Sequence, residues 1–442
     1  LKQFKNDDVP EINKARFLFL GLNYRPEMIG IGKYNTEMID WLAQKGHPCT
    51  VVTAYPYYPY WEVQKPYKNL FYKKESAANG MISIYRCPFY VPKKPTGAKR
   101  MLQEATFFIT SLVIMVQLLF SRKYDYVLTV APPFHLGLIA LLFKWIRGTK
   151  VIYHIQDLQI DAAKELNMLK GGPVISAMMS VERFILKRSD FVSTISPGMI
   201  RKTLNKVNRK VISFPNWVDV TRNYPLGDKR GLKKEWGLDE DDFVVLYSGS
   251  LGEKQGLSLI LDVAERILNP HVKFIVCGNG AHKESLVKRA AQKNLNNVTF
   301  LPLQARERFN SFLNMADLHL ILQKKNASDL VMPSKLTTIL AVGGVAVVTA
   351  NPGTSLHTVV ALNNIGLVAE PENEAVLVDV IRRNIDSDNS RIQTNARHYA
   401  ERRLSIDYVM NDFLNQIAAV EPDQELVKYI SMNDRVVTTK ME

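Results

Sequence analysis

Three short glycine loops carry the first chemistry that can be read in this chain. Gly21-Leu-Asn-Tyr-Arg-Pro-Glu-Met-Ile-Gly30-Ile-Gly32-Lys33 follows the apolar run Arg16–Leu22 and leads into a helical pattern. Tyr247-Ser-Gly249-Ser-Leu-Gly252-Glu-Lys254-Gln-Gly256 follows a second apolar run, and Cys277-Gly278-Asn-Gly280 a third. Glycines ahead of a helix let backbone N–H groups approach a phosphate, and the helix dipole favours its charge. None of the loops is a dinucleotide fingerprint, because Asn35 and Lys283 stand where the last glycine belongs. Each alone fits a plain helix-start turn, but three together favour a phosphate-bearing ligand. Two further groups carry charge or protons. His154 closes an apolar run, with Asp157 three residues on, a pairing suited to positioning or proton work or simply to backbone hydrogen bonding. Lys335, in Met332-Pro-Ser-Lys335, opens a helical segment, as a ligand cation or as a solvated charge.

Other chemistries find little support. The chain has no Gly-x-Ser-x-Gly elbow, no P-loop and no His-Glu-x-x-His helix. No metal site is therefore expected. Tyr55-Pro-Tyr-Tyr-Pro-Tyr-Trp61 is a dense aromatic loop that suits sugar stacking, a membrane interface or packing on the core.

The elements that must hold these residues come from apolar periodicity. Over 442 residues, 46% are hydrophobic and 23% charged, the balance of a folded chain of two or three domains. Short apolar runs at Arg16–Leu22, Cys49–Ala54, Tyr126–Val130, Val151–Ile155 and Phe191–Ile195 alternate with helix-length segments, one of them Tyr34–Lys45. A polar stretch from Asn216 to Asp242 interrupts them and reads as a domain junction. A second series follows at Phe243–Ser248, Val272–Cys277, Val298–Leu301, Leu318–Leu322 and Val345–Thr349. The fold class is α/β: two Rossmann-like domains with parallel sheets, the expected ligand cleft lying between them.

Charge and composition bound the partners. Fifty-seven Lys and Arg against 43 Asp and Glu leave +14, which favours phosphorylated ligands or anionic lipid. The cations are too dispersed to indicate nucleic acid. Cys49, Cys87 and Cys277 are too far apart for a zinc knuckle, and a reducing compartment is expected. Leu1–Lys14 is polar and lacks the apolar stretch of a secretory signal. Ala105–Ser121 carries no charge and is flanked by Lys99, Arg100, Arg122 and Lys123. It reads as a buried helix, a helix lying in a membrane interface or a short span.

The segments GLNYRPEMIGIGKY, VVTAYPYYP, YHIQDLQIDAA, STISPGM, FPNWVD, SGSLGEKQGL, CGNGAHKESL and VMPSKLTTILAVGG together resemble the family-4 glycosyltransferases of bacterial surface-polysaccharide assembly. The nearest branch is that of the colanic-acid and O-antigen (fucosamine-transferase-like) enzymes. The resemblance implies a GT-B fold with a central cleft: an acceptor-side domain over 1–215, a nucleotide-sugar-binding domain over 216–400, and a C-terminal helix and tail over 401–442. It implies a retaining enzyme, needing neither metal nor cofactor, that moves a sugar from a nucleotide-sugar, expected to be UDP-linked, to a lipid-linked saccharide. The site would be cytoplasmic, on the inner face of an anionic membrane. Gly30, Ile31, Gly32, Gly249, Gly252, Lys254, Gly278, Lys335 and Thr338 would bind the donor, with Asn216 and Asp219 bracing the junction. His154 and Asp157 would sit at the reacting sugar. Relatives have an Arg at Ser250 and a Lys at Gln255, and two glutamates near Leu330 and Thr338. These departures leave open a nucleotide-sugar epimerase or a binding subunit without catalysis.

Overall fold

The computed structural model describes residues 14–27, 29–161, 172–252, 255–325 and 333–419. Lys254, Asp329, Leu330 and the tail from Glu421 to Glu442, all singled out above, lie outside these residues. The chain packs as two units, one comprising residues up to Phe214 together with those from Met410 onward, the other Pro215–Val409.

In the first unit eight strands lie in the order β3-β4-β2-β1-β5-β6-β7-β8. They are β1 Phe17–Leu20, β2 Cys49–Ala54, β3 Lys73–Ala77, β4 Ile82–Cys87, β5 Tyr126–Ala131, β6 Lys150–Ile155, β7 Phe191–Thr194 and β8 Ile212–Ser213. All neighbours run parallel except β3, which lies antiparallel on β4 at the edge. The central strands are buried along their whole length, as continuous apolar runs in a sheet covered on both faces require. Helix α1 spans Gly30–Gln44, four residues earlier than its apolar period indicates, because Gly30 and Gly32 form its first turn. Helix α2, Gly97–Leu119, packs on β2, β4 and α3, the last spanning Leu136–Arg147. The cysteines are free and buried.

The second unit has six parallel strands in the order β11-β10-β9-β12-β13-β14. These are β9 Phe243–Ser248, β10 Val272–Cys277, β11 Val298–Leu301, β12 Leu318–Ile321, β13 Ala346–Thr349 and β14 Gly366–Ala369. The order reverses between β9 and β12, and in the first unit between β1 and β5. At such a switch point adjacent loops diverge to opposite faces, leaving a crevice at the carboxyl ends of the strands. The loops with glycines, His154 and Lys335 all leave carboxyl ends.

Helix Ile406–Ala418 carries the chain back to the first unit. Phe413, fully buried, stacks on Phe214 at 3.8 Å and 8°, and Phe214 in turn meets the His154 ring edge-on at 4.8 Å. Phe413→Ala should cost the first unit about 3–5 kcal/mol, the usual loss for deleting a buried ring. Segment-resolved hydrogen exchange should quicken first in β6–β8 and leave β9–β14 protected; uniform loss across both sheets would refute the placement.

Candidate active site

In the second unit the loops after β9 and β10 are knitted together. Gly249 N–H donates to the Cys277 carbonyl at 2.9 Å, and Leu251 N–H to that of Asn279 at 2.9 Å. A Cβ on Gly278 would stand 1.9 Å from the Gly249 carbonyl oxygen, so only glycine fits where these backbones meet. Gly252 sits beside the Gln255 amide, whose Oε1 is buried without a hydrogen-bond partner among the described residues.

Lys335 lies in the first turn of helix Ser334–Ala341 and turns back toward this loop pair. Its Nζ is 3.7 Å from the centroid of the Tyr247 ring. A Cβ on Gly249 would meet that Nζ at 3.1 Å, so the ammonium touches the glycine loop. Although the residue is partly exposed along its length, Nζ is shut off from solvent and has no hydrogen-bond partner among the described residues. Burial lowers its pKa from 10.5 to about 7. Thr338, one turn on, lines the same cavity of about 40 Å³ with Ser248 and His319. His319 is buried, with Nε2 unpartnered among the described residues, and burial holds its pKa at about 3. A larger hollow of about 530 Å³ beside Arg266 and Arg382 includes none of these groups. Electrostatically, the cluster sets an amine with no counter-ion among the described residues beside a glycine-lined loop pair, an arrangement suited to an anionic ligand.

In the first unit His154 ends β6 and is 1% exposed. Its Nδ1 lies 3.0 Å from Ser193 Oγ and its Nε2 2.9 Å from Gln156 Nε2. With Gln156 donating to Nε2, the ring proton belongs on Nδ1 and points at Ser193. Burial lowers its pKa to about 3, so the ring is neutral at physiological pH and serves as a dipole, not as a charged acid. Asp157 follows on the same strand end, half-buried. Gly30, Ile31 and Gly32 form the opening turn of α1 behind an extended Ile29 that offers no side-chain cap. Asp219 accepts from Thr221 and Arg222, bonds that outweigh burial and lower its pKa, and so ties its own turn in the second unit. Asn216 is buried with Oδ1 unpartnered among the described residues.

Sequence reasoning missed a polar group in the first unit. Glu104 on α2 accepts Gln159 Nε2 at 2.8 and 3.1 Å, and burial raises its carboxyl pKa. His135, after β5, bonds the Glu104 backbone; burial lowers its pKa, and its Nε2 is unpartnered among the described residues. Arg100, one turn before Glu104, lies over the Trp61 ring at 4.8 Å, and Trp61 packs edge-on against Tyr57 and Tyr58. The aromatic loop and the polar cluster thus share one end of the sheet, apolar ring faces beside a half-buried carboxylate. The Arg100–Glu104 spacing on a helix was the one readable signal, and the apolar run behind it obscured it.

The chain matches two family descriptions, "Glycosyl transferase 4-like domain" over residues 30–217 and "Glycosyl transferases group 1" over residues 228–402. It is 39% identical, over 91% of its length and 99% of the relative's, to an Escherichia coli (strain K12) protein described as a candidate colanic acid biosynthesis glycosyl transferase, WcaI. Its fold is similar to that of sucrose-phosphate synthase from Thermosynechococcus elongatus, with a TM-score of 0.72 and 14% identity over 91% of this chain and 98% of that one. It is also similar to Anabaena HepE in complex with UDP and glucose, with a TM-score of 0.64 and 15% identity over 92% and 100%. These matches account for both units and their strand orders: the chain belongs to the group 1, family-4-like glycosyltransferases and has their GT-B fold of two Rossmann-like domains.

Proposed function

We propose that this glycosyltransferase is a retaining, metal-independent enzyme whose donor is a UDP-linked sugar. Its acceptor is a polyprenyl-diphosphate-linked saccharide, and its product is a bacterial surface polysaccharide of the O-antigen or exopolysaccharide kind. It works as a peripheral protein on the inner, anionic face of the cytoplasmic membrane. The observation that carries the donor half is Lys335: an amine shut off from solvent, with no hydrogen-bond partner among the described residues, held against the Gly249–Gly278 loop pair at a topological switch point. The UDP bound by HepE and the colanic acid role given for WcaI support the donor base and the product class.

In this reading Gly249 and Gly252 bring the loop backbone near the diphosphate, and Gly278 lets the neighbouring loop approach the base. Lys335, with Lys254, neutralises its charge, and Thr338 bonds the ribose. As the C1–O bond to phosphate breaks, charge grows on the leaving oxygen, and each preoriented donor there contributes about 2.7–4 kcal/mol. The acceptor hydroxyl forms the new bond to C1 on the same face, and its proton passes to the departing diphosphate. Gly30, Ile31 and Gly32 add the amides of α1 to the phosphates. Neutral His154, oriented by Ser193, offers Nε2 to a donor hydroxyl when Gln156 gives way, and Asp157 stands next to it. Residues 1–215 thus serve the acceptor side and 216–400 the donor side. Glu104, Gln159 and His135 bond the acceptor sugar while Tyr57–Trp61 stacks on it.

Calorimetry should show one UDP-sugar binding with unchanged affinity in excess chelator; loss of binding with chelator would remove metal independence. The Lys335 shift carries a sign. Unliganded, the group is mainly neutral above about pH 7, whereas a diphosphate favours the ammonium, so binding at pH 8 takes up a proton and weakens as pH rises. Without ligand, burying this group costs stability below about pH 7, and the cost is relieved as pH rises from about 7 to 10.5, where the unfolded lysine holds a proton that the folded one has lost. Lys335→Met should abolish the proton uptake and lower nucleotide affinity about ten- to a hundredfold. Glu104→Gln should raise the acceptor KM about tenfold, with UDP-sugar affinity unchanged; a change in donor affinity alone would refute its assignment to the acceptor.

A further inference from the structure

Helix α2 is apolar on two faces, and the structure covers one. Phe107, Ser111, Ile114 and Leu118 are buried. On nearly the opposite side of the helix, Leu102, Ile109, Val113, Val116 and Phe120 form a stripe at helical spacing, with Ile109 63%, Val113 54% and Phe120 85% exposed. At 1.5 Å per residue it is about 27 Å long. Other exposed apolar side chains extend it sideways. Tyr72 Oη donates to the Thr110 carbonyl at 3.2 Å, which brings exposed Leu70 and Phe71 alongside. Arg147 at the end of α3 donates to the Leu119 and Ser121 carbonyls, which brings exposed Trp145 and Ile146 to the other end. A bare apolar surface of this extent marks a docking face.

Charge complementarity identifies what docks. Between residues 63 and 123 eleven Lys and Arg face only two acids, Glu75 and Glu104. Exposed Lys99 precedes the stripe, exposed Arg122 and Lys123 follow it, and exposed Lys68 and Lys73 flank Leu70–Tyr72. An apolar strip rimmed by cations matches a bilayer of anionic lipid, whose acyl region takes the strip and whose headgroups take the rim. The helix is long and apolar enough to cross a membrane, but 39% of its apolar window is already buried in the protein. Spanning would strip α2 from β2 and β4, whereas lying flat exposes nothing new.

We infer that the bare face of α2, with Leu70–Tyr72 and Trp145–Ile146, seats the first unit flat on an anionic membrane surface. This deepens, and for its consequence rests on, the proposed lipid-linked acceptor. α2 then meets lipid along its stripe while Arg100 and Glu104 at its start belong to the saccharide cluster, so one helix joins the bilayer to the sugar it delivers.

The test is sedimentation of the full chain with vesicles, without substrate, so that its failure stays separate from failure of the donor calorimetry. The chain should bind phosphatidylglycerol-containing vesicles at least tenfold better than phosphatidylcholine vesicles, and release as salt rises. Ile109→Ser with Val113→Ser, which keeps the charge, should weaken binding about tenfold while leaving UDP-sugar affinity and transfer to a water-soluble acceptor unchanged. Lys99→Gln with Arg122→Gln should remove the lipid preference. No binding by the native chain, equal binding by the serine pair, or a dimer in light scattering that the serine pair dissociates would each overturn the inference, the last by naming a second copy as the occupant.

Discussion

An amine shut off from solvent, with no counter-charge among the described residues, is the costly group around which the glycine loops of the second unit are arranged. Lys335 gains only the face of Tyr247 and nearby backbone dipoles in return for its lost hydration, which is why its pKa falls to about 7. The side chain is held there by what packs around it. The Gly249 and Gly278 backbones close on each other too tightly for any Cβ, and the helix that begins at Ser334 aims the lysine at that junction.

The first unit solves a different problem with neutral groups. Desolvation keeps buried His154 and half-buried His135 uncharged and pushes the carboxyl of half-buried Glu104 toward protonation. Polar but nearly uncharged groups suit sugar hydroxyls better than a bare charge would. Where a buried charge is retained, it is paired: Lys206 bridges Asp161 and Glu182 at 2.5 and 2.6 Å, well inside the first unit.

Helix α2 connects the two problems. The same run of apolar residues supplies a core face, an unpartnered face and, through Arg100 and Glu104, part of the polar cluster.

The local pattern of the chain determined the α/β class, the parallel strands β1, β2, β5–β7 and β9–β13, and the glycine loops that follow them, because a strand buried on both faces must be apolar along its own length. It also carried the family, through motifs whose residues are adjacent in the chain. Strands β3 and β4 were not legible: β3 is Lys-Lys-Glu-Ser-Ala, an edge strand held by hydrogen bonds from β4 and not by apolar side chains, and β4 alternates. Neither were β8, only two residues long, and β14. Tertiary structure alone decided that Lys335 is buried, that His154 is neutral between Ser193 and Gln156, that Glu104 meets Gln159 fifty-five positions away, and which face of α2 stays bare. Each of these depends on which distant groups replace water around a side chain, and that replacement exists only once the sheets have formed.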